Sequence, residues 1–402
     1  MSEYQYYEWQ TIDRPLTTEE RAAVNELSSH IEVSSSQAVV TYSWGDFKHD
    51  PRQVLARYFD AFLYLANWGS KQLAFRFPKP ALSEANVGLL DPRQIEPYLW
   101  EYCIDLKPVG DYLILDISLD EEEGSDWIEG EGWLSSLSRL RDDLLEGDYR
   151  ALYLAWLRAA ELQDADDAEL EPPVPPGLGE PSPPLTSFIE LFGLDEYLIQ
   201  AATEASPRRP PGQQAPAIPP EEAIACLSPT ERDAFLVRLA RGEAHLSLAL
   251  NRRLQELAGV SPRPPACGGT APVDGGRGVA AAPLRTWGEL RATADQLQHE
   301  AKRRAAEAAE ARRVQELQAF APREAEAWRE VVALIEEKKP ASYDKAVALL
   351  VKLRDLADYQ GRLTEFQTQV AGLQERYTNR PALRDRLQRA RLRPEALPEG
   401  LV

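Results

Sequence analysis

Trp44-Gly45-Asp46-Phe47-Lys48-His49-Asp50-Pro51-Arg52-Gln53-Val54-Leu55-Ala56-Arg57-Tyr58-Phe59-Asp60-Ala61-Phe62-Leu63-Tyr64-Leu65-Ala66-Asn67-Trp68-Gly69 is the stretch on which the reading of this chain turns. Asp50 is a natural N-cap, Pro51 suits the first helical position, and Gln53 at the third can reach back to close a capping box. Val54, Leu55, Tyr58, Phe59, Phe62, Leu63, Leu65 and Ala66 then recur at three- and four-residue steps. Arg52, Gln53, Arg57, Asp60 and Asn67 fall on the other side. The spacing predicts one helix from Pro51 to Trp68, ended by Gly69. An apolar arc this wide must be covered, which puts the helix at the centre of an N-terminal core.

Strands flank it. Tyr4–Ile12 and Gln37–Tyr42 read as two, with a capped helix from Thr17 to Ser28 between them. In Gln72–Phe77, Leu73, Phe75 and Phe77 alternate with Gln72, Ala74 and Arg76, the period of a half-buried strand. Asp91-Pro92-Arg93-Gln94 starts a short helical turn. Tyr98–Leu106 and Asp111–Leu119 form a hairpin, joined by Lys107-Pro108-Val109-Gly110 in a type I turn with a glycine bulge. An acidic loop, Asp120–Glu131, leads to helices at Trp133–Glu146 and Tyr149–Gln163. The expected class is an α+β domain over residues 1–163, an antiparallel or mixed sheet with helices on one face.

Proline and charge divide the rest. Residues 164–184 and 206–220 read as linkers around an apolar helix at Leu185–Thr203, which is too hydrophobic to stand free in water. Glu221–Leu257 is helical, with Ser228-Pro229-Thr230-Glu231 as its start signal, and residues 260–283 are Pro/Gly-rich. From Thr286 a helix of roughly 50 Å runs without a breaker to about Ala321. Shorter amphipathic helices at 324–338, 342–357, 362–377 and 383–391 suggest antiparallel hairpins in a small bundle or a solenoid fragment. The net charge of −20 is uneven: residues 1–170 carry 33 acids against 14 bases, and the last third is weakly basic. No charged-then-apolar leader and no apolar run of membrane-spanning length is present, so the chain reads as a cytoplasmic protein without membrane contact. Three cysteines (Cys103, Cys226, Cys267) lie far apart, which argues against a disulfide framework and a structural zinc.

No motif specifies a reaction. His30, His49, His245 and His299 are scattered, nucleophile-elbow and phosphate-loop patterns are missing, and no cofactor is implied. The acidic cluster Asp116, Asp120, Glu121, Glu122, Glu123, Asp126, Glu129 and Glu131 supplies the hard oxygens that Mg²⁺ or Ca²⁺ take, yet it matches no EF-hand spacing. It reads as a solvated connection. Trp44, Asp46, Phe47 and His49 form a candidate partner-contacting loop before a helix N-terminus, against a plainer role as core plugs. Arg380, Arg384, Arg386, Arg389, Arg391 and Arg393 are the densest basic run, with almost no aromatic residue to stack a base.

Two regions resemble known bacterial sequences. Ser2–Gln10 with Ile12–Thr17, Trp44–Phe47 and Tyr58–Gly69 resemble a bacterial family with no assigned activity. Leu227–Leu239 and Trp328–Leu392 are similar to the helical tails of bacterial SWIM zinc-finger proteins, closest at Lys338–Leu350 and Leu353–Ala357. The SWIM cysteine–histidine signature itself is missing, so no zinc ligand carries over. The resemblance implies a bacterial cytosolic protein sharing a helical module with a nucleic-acid-linked family. The leading expectation is a non-enzymatic interaction or scaffold protein with a protein partner. The competing one is a divalent-metal enzyme using Asp105, Asp116 and Glu121–Glu123, and a third has the C-terminal arginines bind nucleic acid.

Overall fold

The stretch that reads as one helix is a helix and a strand. The structure, a computed structural model, describes residues 3–79, 90, 92–121, 129–208, 224–240, 246, 250, 253–254 and 285–392. Seven strands form one sheet: β1 Gln5–Gln10, β2 Glu32–Val33, β3 Gln37–Tyr42, β4 Ala61–Ala66, β5 Ser70–Pro78, β6 Ile104–Val109 and β7 Tyr112–Asp120. Their order is β2-β3-β1-β4-β5-β7-β6, every neighbouring pair antiparallel. The helices of this part are α1 Thr18–Asn25, α2 Pro51–Tyr58, α3 Pro92–Ile95, α4 Trp133–Leu137, α5 Leu140–Leu145, α6 Arg150–Leu162, α7 Pro183–Phe192 and α8 Glu196–Ala205. The α+β class with an antiparallel sheet is as the sequence predicts.

The predicted helix from Pro51 to Trp68 is corrected at Tyr58. Asp50 caps α2 through the Arg52 N–H at 2.9 Å, and Pro51 holds the first position. Phe59 then swings to extended backbone, φ −128° and ψ 173°. Asp60 explains the switch. Its main chain joins the ladder, donating to Gln10 O and accepting from Arg76 N, both at 2.9 Å. Its carboxylate, 1% exposed, accepts from the N–H groups of Ile12 (2.7 Å) and Asp13 (3.0 Å) and from Arg76 at 2.6 Å. Arg141 of α5 stands 3.9 Å away and forks onto Asp13 at 3.0 and 2.9 Å. Burial pushes the Asp60 carboxyl up, but Arg141, Arg76 and the two backbone donors outweigh it and hold the group below its ordinary value. A continued helix would take the Asp60 carboxylate away from the Ile12 and Asp13 N–H groups and from Arg76.

Beyond Asp60, β4 sits in mid-sheet and is buried on both faces. Phe62 joins Tyr7, Trp9, Val40, Leu55 and Phe59 on one side. Ala61, Leu63 and Leu65 join Leu73, Phe75, Leu115 and Ile117 on the other. A strand covered twice is apolar at nearly every position, so it satisfies a helical count as well as a strand count. The first face carries α1 and α2; the second carries α4 and α6–α8, so helices cover both faces. The hairpin also differs from its expected form. Lys107, Pro108 and Val109 belong to β6, and the loop is Gly110-Asp111, with Val109 opposite Tyr112. Gly110 alone has positive φ (+59°), as a type II′ turn requires, and Pro108 is tolerated because β6 is an edge strand.

Where the sequence reads as linker, residues 164–184 lie on the second face. Glu171 is buried, gripped by Arg285 at 2.7 Å through both carboxylate oxygens and hydrogen-bonded by the Tyr153 hydroxyl. The apolar segment 185–203 is two helices, broken at Gly193 (φ +61°), and Leu185, Phe188, Leu191, Phe192 and Leu198 enter the same core. The apolar helix therefore docks, as expected. Ser228 and Glu231 cap α9 Pro229–Ala240 reciprocally.

The chain divides into two units, residues 1–297 and 298–402. The long helix, α10 Trp287–Phe320, spans 34 residues and opens with the expected Thr286–Glu289 box. Trp287, Leu290 and Ala294 in its first turns are buried in the first unit's core. The second unit adds α11 Glu324–Glu336, α12 Pro340–Tyr359, α13 Leu363–Arg376 and α14 Pro381–Arg389, close to the predicted spans. Its core holds Val331, Ile335, Ala346, Leu350, Leu353, Phe366, Val370, Leu383 and Leu387. Among the described residues no helix is long and apolar enough to cross a membrane.

Candidate interaction surface

Register brings three exposed aromatic rings to one end of the sheet. Gln5 pairs with Tyr42 and with Ala66, and Ser70 pairs with Asp120, so these residues mark one edge of the ladder. Trp44 follows β3 just beyond that edge, and Trp68 sits in the β4–β5 turn. Tyr102 precedes β6, where Cys103 O accepts from Ser118 N at 2.7 Å. Their exposures are 73%, 45% and 89%. Among the described residues of the first unit, these are the exposed large aromatics. Neighbouring strands lie about 4.8 Å apart, which places the ends of β3 and β4 about 10 Å apart and spreads the row over roughly 24 Å.

The loop bearing Trp44 is held from beneath. Gln5, 2% exposed, donates to Gly45 O at 3.0 Å and to Asp46 Oδ1 at 2.9 Å. Its amide oxygen accepts from the Tyr7 hydroxyl at 2.6 Å and the Tyr64 hydroxyl at 3.2 Å. Phe47 is buried against Tyr7 and Trp9, ring centroids 5.6 and 5.1 Å away. Burial raises the Tyr64 hydroxyl far above its usual value, with Tyr7 and then Asp46 and Asp120 adding to the shift. The loop residues therefore split in role: Phe47 plugs the core, Asp46 ties the loop to the sheet, and Trp44 points to solvent. His49 is exposed and meets the edge of the Phe47 ring at 5.6 Å.

The proposed metal set does not assemble among its described members. Asp105 and Asp116 are cross-strand partners on the α2 face, but Arg52 sits between them, 2.5 Å from Asp116 and 3.7 Å from Asp105. Gln72 donates to both Asp116 oxygens at 2.9 and 2.7 Å, and Lys107 takes Asp105 at 2.6 Å. Burial raises the Asp116 carboxyl, against the pull of Arg52 and Gln72. Glu121 turns elsewhere, to Lys71 at 3.1 Å and Arg158 of α6 at 2.6 Å. Glu122, Glu123 and Asp126 lie outside the described residues, as do His245, Cys267, Asp91 and Arg393. Among the described residues no group of three or more His, Cys, Asp or Glu side chains is placed to hold a metal ion.

The C-terminal arginines are divided too. Arg386 pairs with Asp344 at 2.5 Å, and Arg380 donates to Ile335 O and stacks on Tyr377. Arg384, Arg389 and Arg391 are exposed. Arg384 borders a shallow groove of about 350 Å³ with Tyr377, Leu383 and Leu387.

No family model, curated protein or solved structure matches this chain. The surface therefore rests on its own geometry. Three of its members escaped the sequence reading: Gln5 and Tyr102, each placed inside a strand, and Trp68, placed inside a helix. The Trp68-Gly69 pair is a turn signal, and weighting it above the apolar period would have found the strand and the exposed ring together.

Proposed function

We propose that this protein acts by binding another protein through the sheet end that carries Trp44, Trp68 and Tyr102, with the helical second unit as scaffold. The single observation behind this reading is the gathering of exposed rings at one end of the sheet. Aromatic side chains dominate binding hot spots, and exposed apolar residues gathered in a patch mark interaction sites where scattered ones do not. Here three stand in a row, about as wide as a patch burying roughly 800 Å² per partner. Pinning by Gln5 and Phe47 holds Trp44 in place before a partner arrives, which limits the ordering cost of association. The resemblance of the two regions to bacterial cytosolic families supports a cytoplasmic setting. A second reading, nucleic-acid binding, is favoured only by the exposure of Arg384, Arg389 and Arg391; affinity insensitive to salt would dispose of it.

The test isolates tagged full-length chain and its Trp44→Ala variant from the native cell. A companion in near-equal amount with the parent chain, lost with the variant at unchanged melting temperature, is the expected result. Retention by the variant, or no companion and no self-association with either, contradicts the proposal.

A further inference from the structure

We infer that the partner presents a cationic, arginine-rich segment to this end of the sheet, an inference that rests on the interaction reading above. Charge complementarity selects this occupant. Exposed carboxylates interleave with the three rings: Glu3 precedes β1, Asp46 lies two residues from Trp44, Glu101 adjoins Tyr102, and Asp120 ends β7. Asp46 is held by Gln5, which pairs with Ala66, and Asp120 pairs with Ser70 across the β4–β5 turn, so both carboxylates lie at the end that carries the rings. The nearby cations of low exposure are already engaged, since Lys71 and Arg158 share Glu121 at 3.1 and 2.6 Å. Lys48 is the exposed cation in the Trp44 loop, so carboxylates outnumber it at the surface.

Indole faces flanked by carboxylates suit a guanidinium. Its plane stacks on the ring while its N–H fork meets a carboxylate, a combination an ammonium reproduces less well. The spacing narrows the segment further. The strand ends that carry Trp44 and Trp68, about 10 Å apart, match side chains three residues apart on an extended polyproline-type chain, which advances about 9.3 Å in three residues with both on one side; the end that carries Tyr102 lies about 14 Å beyond. Acidic and neutral segments lack the charge, and nucleic acid is repelled by a front half that carries 33 acids against 14 bases over residues 1–170.

The experiment uses full-length protein and fluorescein-labelled peptides with three arginines, each pair separated by two serines, read by anisotropy at low and moderate salt. Lysine and glutamate versions are compared. The expected result is binding of the arginine peptide, weakened about tenfold by Trp44→Ala and by the pair Asp46→Asn with Asp120→Asn. The charge-matched pair Glu19→Gln with Asp111→Asn, in the first turn of α1 and in the β6–β7 loop at the far end of the sheet, should leave it unchanged. Equal binding by the Trp44→Ala variant, or equal binding of the glutamate peptide, overturns the inference. If the arginine peptide fails while a cellular companion still depends on Trp44, this inference falls and the interaction reading stands. If the companion is missing as well, both fall.

Discussion

Asp60→Ala should cost about 3 kcal/mol of stability in the first unit. Removing one member of a buried ion pair costs roughly 3–5 kcal/mol, because the remaining charge is left without compensation. Two features place this case at the low end. Arg141 keeps its two-pronged contact with Asp13 at 3.0 and 2.9 Å, and Arg76 keeps its bond to Ala56 O at 3.0 Å. The freed N–H groups of Ile12 and Asp13 are half-buried, so water can replace much of what they lose. For a unit of this size the loss corresponds to a fall in melting temperature of about 6–12 °C. Urea unfolding followed by tryptophan fluorescence reads the right part of the molecule, since Trp328 is the only one of nine tryptophans beyond residue 297. The pH dependence carries a definite sign. The folded-state Asp60 carboxyl lies below its ordinary value, so its stabilisation is complete above the unfolded value near about 3.9. It is lost as pH falls through the folded value. The gap between parent and variant should therefore be constant from about pH 8 to 5 and close in stronger acid. A variant within about 0.5 kcal/mol of the parent, or a gap that widens in acid, refutes the role assigned to Asp60.

Gln5→Ala removes four hydrogen bonds at 2.6–3.2 Å and should destabilise by about 2–4 kcal/mol, with faster hydrogen exchange at Gly45–Phe47; unchanged exchange there would show that the loop is held by something else. Gly130→Ala would set a methyl 2.2 Å from the Tyr6 ring, so it should cost about 1–3 kcal/mol in a urea titration. Asp143 is raised to about 6 by burial and by neighbouring Asp148, against the pull of Arg139 and Arg150. A raised carboxyl weakens the fold once it ionises, so Asp143→Asn should raise the melting temperature at pH 8 and change it little at pH 4; the opposite order would contradict the assignment.

What the sequence showed and what it concealed follow from the range of the forces involved. Caps are local, and Thr17–Glu20, Asp50, Ser228–Glu231 and Thr286–Glu289 all stand where their spacing predicts. β3 and the helices of the second unit follow from period alone. The helix-to-strand change at Asp60 does not, because its cause sits at Arg76 and Arg141, far along the chain. The 164–184 segment was misleading for the same reason: Glu171 meets an arginine 114 positions away. At the surface, one loop offered Trp44 and Phe47 as equivalent rings, and only the pairing of Gln5 beneath them separates the buried from the exposed. Arg52, placed opposite the apolar arc, meets the buried Asp116, a partner 64 positions along the chain that no local period reveals.

A photo-crosslinking amino acid placed in turn at Trp44, Trp68, Tyr102 and, as control, Asp111 in the β6–β7 loop at the opposite end of the sheet, in the full-length chain inside its native cell, tests the central claim most directly. One protein should be captured from all three ring positions and not from position 111. Capture from position 111 alone, or different proteins from each ring position, would show that the row of aromatics at the sheet end is not a single binding surface.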